Sequence, residues 1–232
     1  MHILAIDTAT NSGGVALSRG TELLGIKTIQ SPRSYSEKII SAVDWLLTNY
    51  DLKIKDIDCV VTSVGPGSFT GIRIGLSTVK AFCQPLGIPA VGISTLAALA
   101  YRFSHISSHI APIINAGRKQ IYGAVYQIKD SEINIESPEQ VLPPNEWLAS
   151  IPTSQYLFVG DGVGLYENKI LSMHPKAQVL ATNNQIIEHL CLVGHSYFRK
   201  GHTLKAANLA ANYIRPSDAE LKHYEEFGHQ LF

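Results

Sequence analysis

Two stretches of this 232-residue chain combine side chains and spacings that could do chemistry. One is Asp7-Thr8, directly after the apolar run Ile3–Ile6. The other is Ser63 to Gly75, SVGPGSFTGIRIG, with glycines at 65, 67, 71 and 75. A glycine-rich loop between a strand and a helix can cradle a phosphate, because the free amides at a helix N-terminus attract anions. The spacing departs from both common versions. Counting from Gly65, Thr70 stands where a P-loop has its second glycine, and no lysine follows it. The dinucleotide fingerprint G-x-G-x-x-G would need its third glycine one residue before Gly71. An architectural reading accounts for more of the pattern. Gly65 and Gly67 around Pro66 permit a tight turn. Ser68 or Thr70 can cap the helix. Gly71 and Gly75, four apart, open one helical face to a close backbone neighbour.

Other candidates are sparser. His105 and His109 have the H-x-x-x-H spacing that puts two imidazoles on one helical face for a metal, but no acid neighbours them and no third ligand is evident. GDGVG, residues 160–164, reads as a second phosphate loop or, more simply, as a strand-to-helix turn. No G-x-S-x-G nucleophile elbow follows a strand. Cys59, Cys83 and Cys191 are odd in number, widely spaced and flanked by apolar residues, which predicts reduced, buried thiols.

The elements that must hold these residues follow from periodicity. Strands are predicted at 2–6, 15–18 and 22–30, an antiparallel meander. A helix spans 34–50, with Tyr35, Ile39, Val43 and Leu46 on one stripe that Ile40, Trp45 and Leu47 widen. A strand at 58–64 leads into the glycine-rich loop and a helix over 71–86. On that helix Ile72, Leu76, Val79, Cys83 and Leu86 face the core, while Ile74, Thr78 and Phe82 point elsewhere. A strand at 89–93 and a helix capped by Ser94 complete the first half. The second half repeats the order: strands at 110–115, 120–128 and 133–137, a helix at 145–150, a strand at 156–160, a helix at 163–171, a strand at 177–180 and a helix over 184–200. A helical tail is predicted over 204–215, with a loop beyond it.

Two β-β-β-α-β-α-β-α modules describe an α/β fold of the actin-like (ASKHA) kind, two ribonuclease-H-like lobes divided as 1–104 and 105–232. Enzymes of that fold place an acid and a hydroxyl where Asp7 and Thr8 stand. By this analogy Asp7, Thr8, Gly65, Gly67 and Ser68 form a nucleotide site; the alternative for Asp7 is a turn aspartate bonding its own backbone. The chain is 45% hydrophobic with net charge zero. That excludes disorder and strong autonomous nucleic-acid binding, since the densest basic stretch is only Arg199, Lys200 and Lys205. No signal peptide or membrane-length apolar run is evident, so a cytoplasmic address is expected.

The run SVGPGSFTGIRIGLSTVKAF resembles the signature of the TsaB (YeaZ) family, which is related to TsaD. LAIDTATNSGGVAL, IPAVGISTLAALA, IINAGRKQIYGAVY and the NYIRP segment at 212–216 resemble further family segments. Tyr35, Asn115 and Gly117 depart from it, where His, Asp and Arg are usual. The resemblance implies an accessory subunit without a catalytic site of its own. It would bind TsaD, which transfers threonylcarbamoyl to N6 of adenosine 37 in tRNA, and assemble with the ATPase TsaE. ATP or ADP and a metal are then expected in the partner subunits, and tRNA is reached only indirectly. The partner face would comprise Tyr35, Ile39, Val43, Leu46, Ile74, Thr78 and Phe82, and the same helices could pair two copies as a homodimer. The alternatives are an ATP-dependent enzyme of the sugar-kinase type, lacking an evident second acid, and a metallopeptidase resting on His105 and His109.

Overall fold

A computed structural model describes residues 1–29 and 34–215. The expected loop toward Phe232 lies outside the described residues. β1 (His2–Asp7), β2 (Gly13–Arg19) and β3 (Glu22–Ile29) form the expected meander, and β1 pairs on its other side with β4 (Cys59–Gly65) in parallel. β5 (Pro89–Ser94) follows β4 in parallel. β1 is therefore central and covered on both faces. This is why Ile3, Leu4, Ala5 and Ile6 read as a continuous apolar run rather than an alternation.

The second sheet repeats the layout. β6 (His109–Gly117), β7 (Gln120–Lys129) and β8 (Glu132–Leu142) are antiparallel, and β9 (Leu157–Gly160) and β10 (Gln178–Ala181) continue from β6 in parallel. The two orders, β3-β2-β1-β4-β5 and β8-β7-β6-β9-β10, are the same arrangement built twice. A last strand, β11 (Leu204–Lys205), pairs with β5 at the edge of the first sheet.

Helices α1 (Tyr35–Asn49) and α2 (Phe69–Leu86) cover the outer face of the first sheet, and α4 (Pro144–Ser150) and α5 (Val163–Met173) that of the second. Between the sheets lie α3 (Thr95–Arg102) and α6 (Ile187–Arg199). They cross over: α3, from the first half, packs on β6 and β7, and α6, from the second, packs on β1, β2, β4 and β5. One core cluster accordingly joins Ile3, Ala5 and Val61 of the first sheet to Ile110, Tyr126 and Val159 of the second.

Three expectations are corrected. Residues 204–215 are not a helix. After β11 comes one 3-10 turn (Ala206–Asn208) and then extended backbone, with the Asn212 N–H donating to the Val64 carbonyl at 2.8 Å. Ala206 and Leu209 are buried anchors whose spacing imitates a helical stripe, and pairing of β11 with β5, with the Asn212 bond to Val64 of β4, overrides that propensity. α6 begins at Ile187 rather than at 184, because Asn183 and Asn184 spend their side-chain oxygens on Arg102 and on the Asp161 N–H. Leu86, expected in the core, is 49% exposed at the end of α2.

Candidate functional site

Parallel pairing of β1 with β4 sets Ile6 opposite Thr62, so Asp7 and Ser63 emerge side by side against the start of α2. Asp7 is fully buried and both oxygens are committed. Oδ1 accepts the Ala9 N–H at 3.0 Å and the Ser63 hydroxyl at 2.6 Å; Oδ2 accepts the Thr10 hydroxyl at 2.6 Å. Burial pushes the carboxyl above its ordinary value, against the opposing pull of the Ser63 and Thr10 hydrogen bonds. The Thr8 hydroxyl donates to the Gly71 carbonyl at 2.6 Å.

The glycine spacing is explained by the same contact. The Thr8-Ala9 backbone lies directly on the start of α2, so a Cβ on Gly71 would stand 1.9 Å from the Thr8 carbonyl oxygen and one on Gly67 2.4 Å from that of Ala9. Gly75 extends the strip, facing the Thr8 side chain. Ser68, not Thr70, caps α2, accepting the Gly71 N–H at 3.1 Å. Gly65 has φ +111°, a conformation that favours glycine. Asp7, Thr8, Gly65, Gly67 and Ser68 thus converge, with the side-chain oxygens of Asp7, Thr8 and Ser68 hydrogen-bonded within the protein.

Tyr35 fixes the turn after β1. Its hydroxyl donates to the Thr10 carbonyl and accepts the Gly13 N–H, both at 2.7 Å, and burial pushes the phenol up to about 12. Asn115 accepts the N–H of Gly117 at 2.9 Å, and Gly117 has φ +70°, so these two departures from the family pattern shape the β6–β7 turn locally. In the 160–164 segment Asp161 accepts the Asn115 N–H at 2.9 Å, which makes it a strand-to-helix turn.

The structure separates His105 and His109. α3 ends at Arg102, His105 lies in the turn beyond, and His109 opens β6, so the spacing is not that of one helical face. His109 instead approaches Gln127 and Glu136, each at 3.3 Å. Among the described residues, no three His, Cys, Asp or Glu side chains cluster as a metal site. The cysteines are free and buried, and burial pushes all three thiols up to about 12.

The residues expected on a partner face divide between core and surface. Tyr35, Ile39, Val43 and Leu46 are at most 3% exposed and belong to the core of their own lobe. What α1 shows outward is Ile40 and Trp45, 60% and 46% exposed. Ile74, Thr78 and Phe82 of α2 are half-buried. An open groove of about 500 Å³ runs beside Ile40, Val43, Leu47, Leu52, Ile54 and Phe82, rimmed by Asp44, Asp51 and Lys53. The signal for this surface was present in the sequence, in the residues that widen the α1 stripe.

Fold and loop together define an actin-like protein of two ribonuclease-H-like lobes, with its own β1–β2 turn packed on the glycine-rich loop. The model of the family described as TsaD, tRNA N6-adenosine threonylcarbamoyltransferase, matches residues 21–223. TsaB, a tRNA threonylcarbamoyladenosine biosynthesis protein, of Bacillus subtilis is 30% identical over 230 residues, covering 97% of this chain and 99% of that one. TsaB of Escherichia coli is 34% identical over 148 residues, 62% of this chain and 63% of the other. The solved structure of YeaZ from Pseudomonas aeruginosa superposes with a TM-score of 0.80 at 26% identity, covering 91% of this chain and 99% of that one. The chain belongs to the TsaB (YeaZ) family.

Proposed function

We propose that this chain serves threonylcarbamoyladenosine formation in tRNA as an accessory subunit, docking on TsaD through the α1–α2 face and assembling with TsaE. The observation that carries this reading is the groove that α1 forms with residues 51–54 and Phe82 of α2. Ile40 and Phe82 flank apolar surface with no covering element among the described residues. A groove with exposed Ile40 at its mouth, half-buried Leu52, Ile54 and Phe82 inside and a charged rim of Asp44, Asp51 and Lys53 has the apolar-centre, polar-rim make-up of a protein–protein contact. Helices from a related subunit could complete a four-helix bundle there, and a second copy could occupy the same face when TsaD is absent.

Nucleotide and metal then belong to the partner subunits, tRNA is reached indirectly, and the assembly is cytoplasmic. A sugar-kinase-type enzyme would need Asp7 turned toward a bound nucleotide, and its oxygens are committed to Ala9, Ser63 and Thr10. The test is co-purification with TsaD from the same organism. Ile40→Asp or Phe82→Asp is expected to weaken capture by at least about tenfold, with the circular dichroism spectrum unchanged. Undiminished capture by both variants removes this face as the docking site.

A further inference from the structure

The extended segment after the 3-10 turn is bonded to both lobes. On the first-lobe side Leu209 is buried against Gly92, and the Asn212 N–H donates to Val64. The Tyr213 ring stacks on Phe69 with centroids 4.5 Å apart, and its hydroxyl accepts the Arg73 Nε–H at 3.2 Å. On the second-lobe side Asn212 Nδ2 donates to Glu139 Oε2 at 2.8 Å, and Arg215 Nη1 donates to the Ala116 carbonyl at 2.8 Å. A Cβ on Gly65 would stand 2.8 Å from the Asn212 carbonyl oxygen, so the glycine-rich loop is shaped to admit the strap.

Glu139 is where these ties meet. It lies at an irregularity of β8, where Gly123 faces Gln140 but Val125 faces Ser137, with Pro138 and Glu139 taking up the extra length. The irregularity turns Glu139 inward. Its Oε1 accepts the Tyr126 hydroxyl at 2.6 Å and the hydroxyl of Ser94, the residue that caps α3. One carboxylate therefore collects donors from the first lobe, the second lobe and the strap, and hydrogen bonds to a charged acceptor are about twice as strong as neutral ones.

We propose that residues 209–215 are a latch that holds the two lobes in one arrangement, with Glu139 as its catch. The two sheets already share one core around α3 and α6; the strap adds a tie beside the glycine-rich loop, and any shift of the lobes at that edge requires the Asn212–Glu139 and Arg215–Ala116 bonds to break together. Hydrogen exchange on the full chain tests this. Asn212→Asp removes the donor and sets a second carboxylate against Glu139. Amides of the 209–215 strap and of the β6–β7 turn are expected to exchange at least about tenfold faster, while those of β1 are unchanged. Adding Glu139→Gln restores a donor–acceptor pair with roles exchanged, and protection returns. Arg215→Ala, which leaves Glu139 untouched, is expected to loosen the same two segments. Unchanged exchange in both single variants overturns the latch. So does acceleration that Glu139→Gln fails to reverse, or loss of protection that extends into β1.

Discussion

Asp7 brackets the turn after β1, holding Ala9, Thr10 and Ser63 through its two carboxylate oxygens. Its raised pKa gives a pH test. A carboxyl whose folded pKa exceeds its unfolded one contributes stability that is present below the unfolded value, about pH 4, and is lost as pH rises through the folded value. The urea midpoint of the native chain is therefore expected to carry a component that falls with rising pH above about 4, and Asp7→Asn to lack it. Equal pH slopes for the two proteins would falsify that role. Gly71→Ala tests the neighbouring contact. The added carbon has no room beside the Thr8 carbonyl, and such overpacking costs about 1–3 kcal/mol, readable as a lower urea midpoint with the same slope. The close glycine face was legible because it depends on one spacing, whereas the sequence left Ser68 and Thr70 open as caps and Asp7 open between a turn and a nucleotide site; its bond from Ser63, 56 residues away, has no local signal. Tyr35 was not legible as a clip on the β1–β2 turn. Its partners Thr10 and Gly13 lie more than twenty residues earlier, and no local pattern announces them.

At the scale of the element, Ile39 and Ile40 separate stability from association. Periodicity places an apolar stripe on α1 but does not say which edge the sheet covers. The structure buries Ile39 at 1% and leaves Ile40 at 60% exposed. Ile39→Asp puts an unpaired carboxylate into the core beside β2 and is expected to cost at least roughly 3 kcal/mol. Ile40→Asp is expected to change stability by less than about 0.5 kcal/mol, its effect falling instead on the proposed capture by TsaD. Urea unfolding of the two variants checks the first half of this pairing. Equal destabilisation would mean that α1 sits differently on its sheet. The 204–215 segment marks the opposite limit of sequence reading. Its apolar spacing suited a helix, yet Leu204 pairs with Ala90 across the sheet edge, and nothing within the segment encodes that partner.

At the scale of the whole molecule, the repeated element order made two lobes legible, but not their interlocking. Order fixes which strands share a sheet, whereas the sheet a helix covers is settled by packing. α3 and α6 each lie on the other half's sheet, and Gly194 of α6 is pressed against β4 so closely that a Cβ would meet Val61 at 2.2 Å. A chain divided into independent lobes would unfold in two steps. One core cluster shared across both sheets makes a single cooperative transition the expectation. Nature has placed one tryptophan on each side: Trp45 on α1, and Trp147 on α4, buried against Gly123 and Phe158. Trp45→Phe leaves a reporter in the second lobe and Trp147→Phe one in the first. The urea transition of each single-tryptophan chain, followed by fluorescence, is expected to coincide with that chain's own far-ultraviolet circular dichroism. Gly194→Leu, a wedge between α6 and the first sheet, is expected to lower the transition by the same amount whichever tryptophan reports it. If Trp147 kept its original midpoint while Trp45 lost its own, the lobes would be thermodynamically separate and the crossover helices would be contacts without coupling.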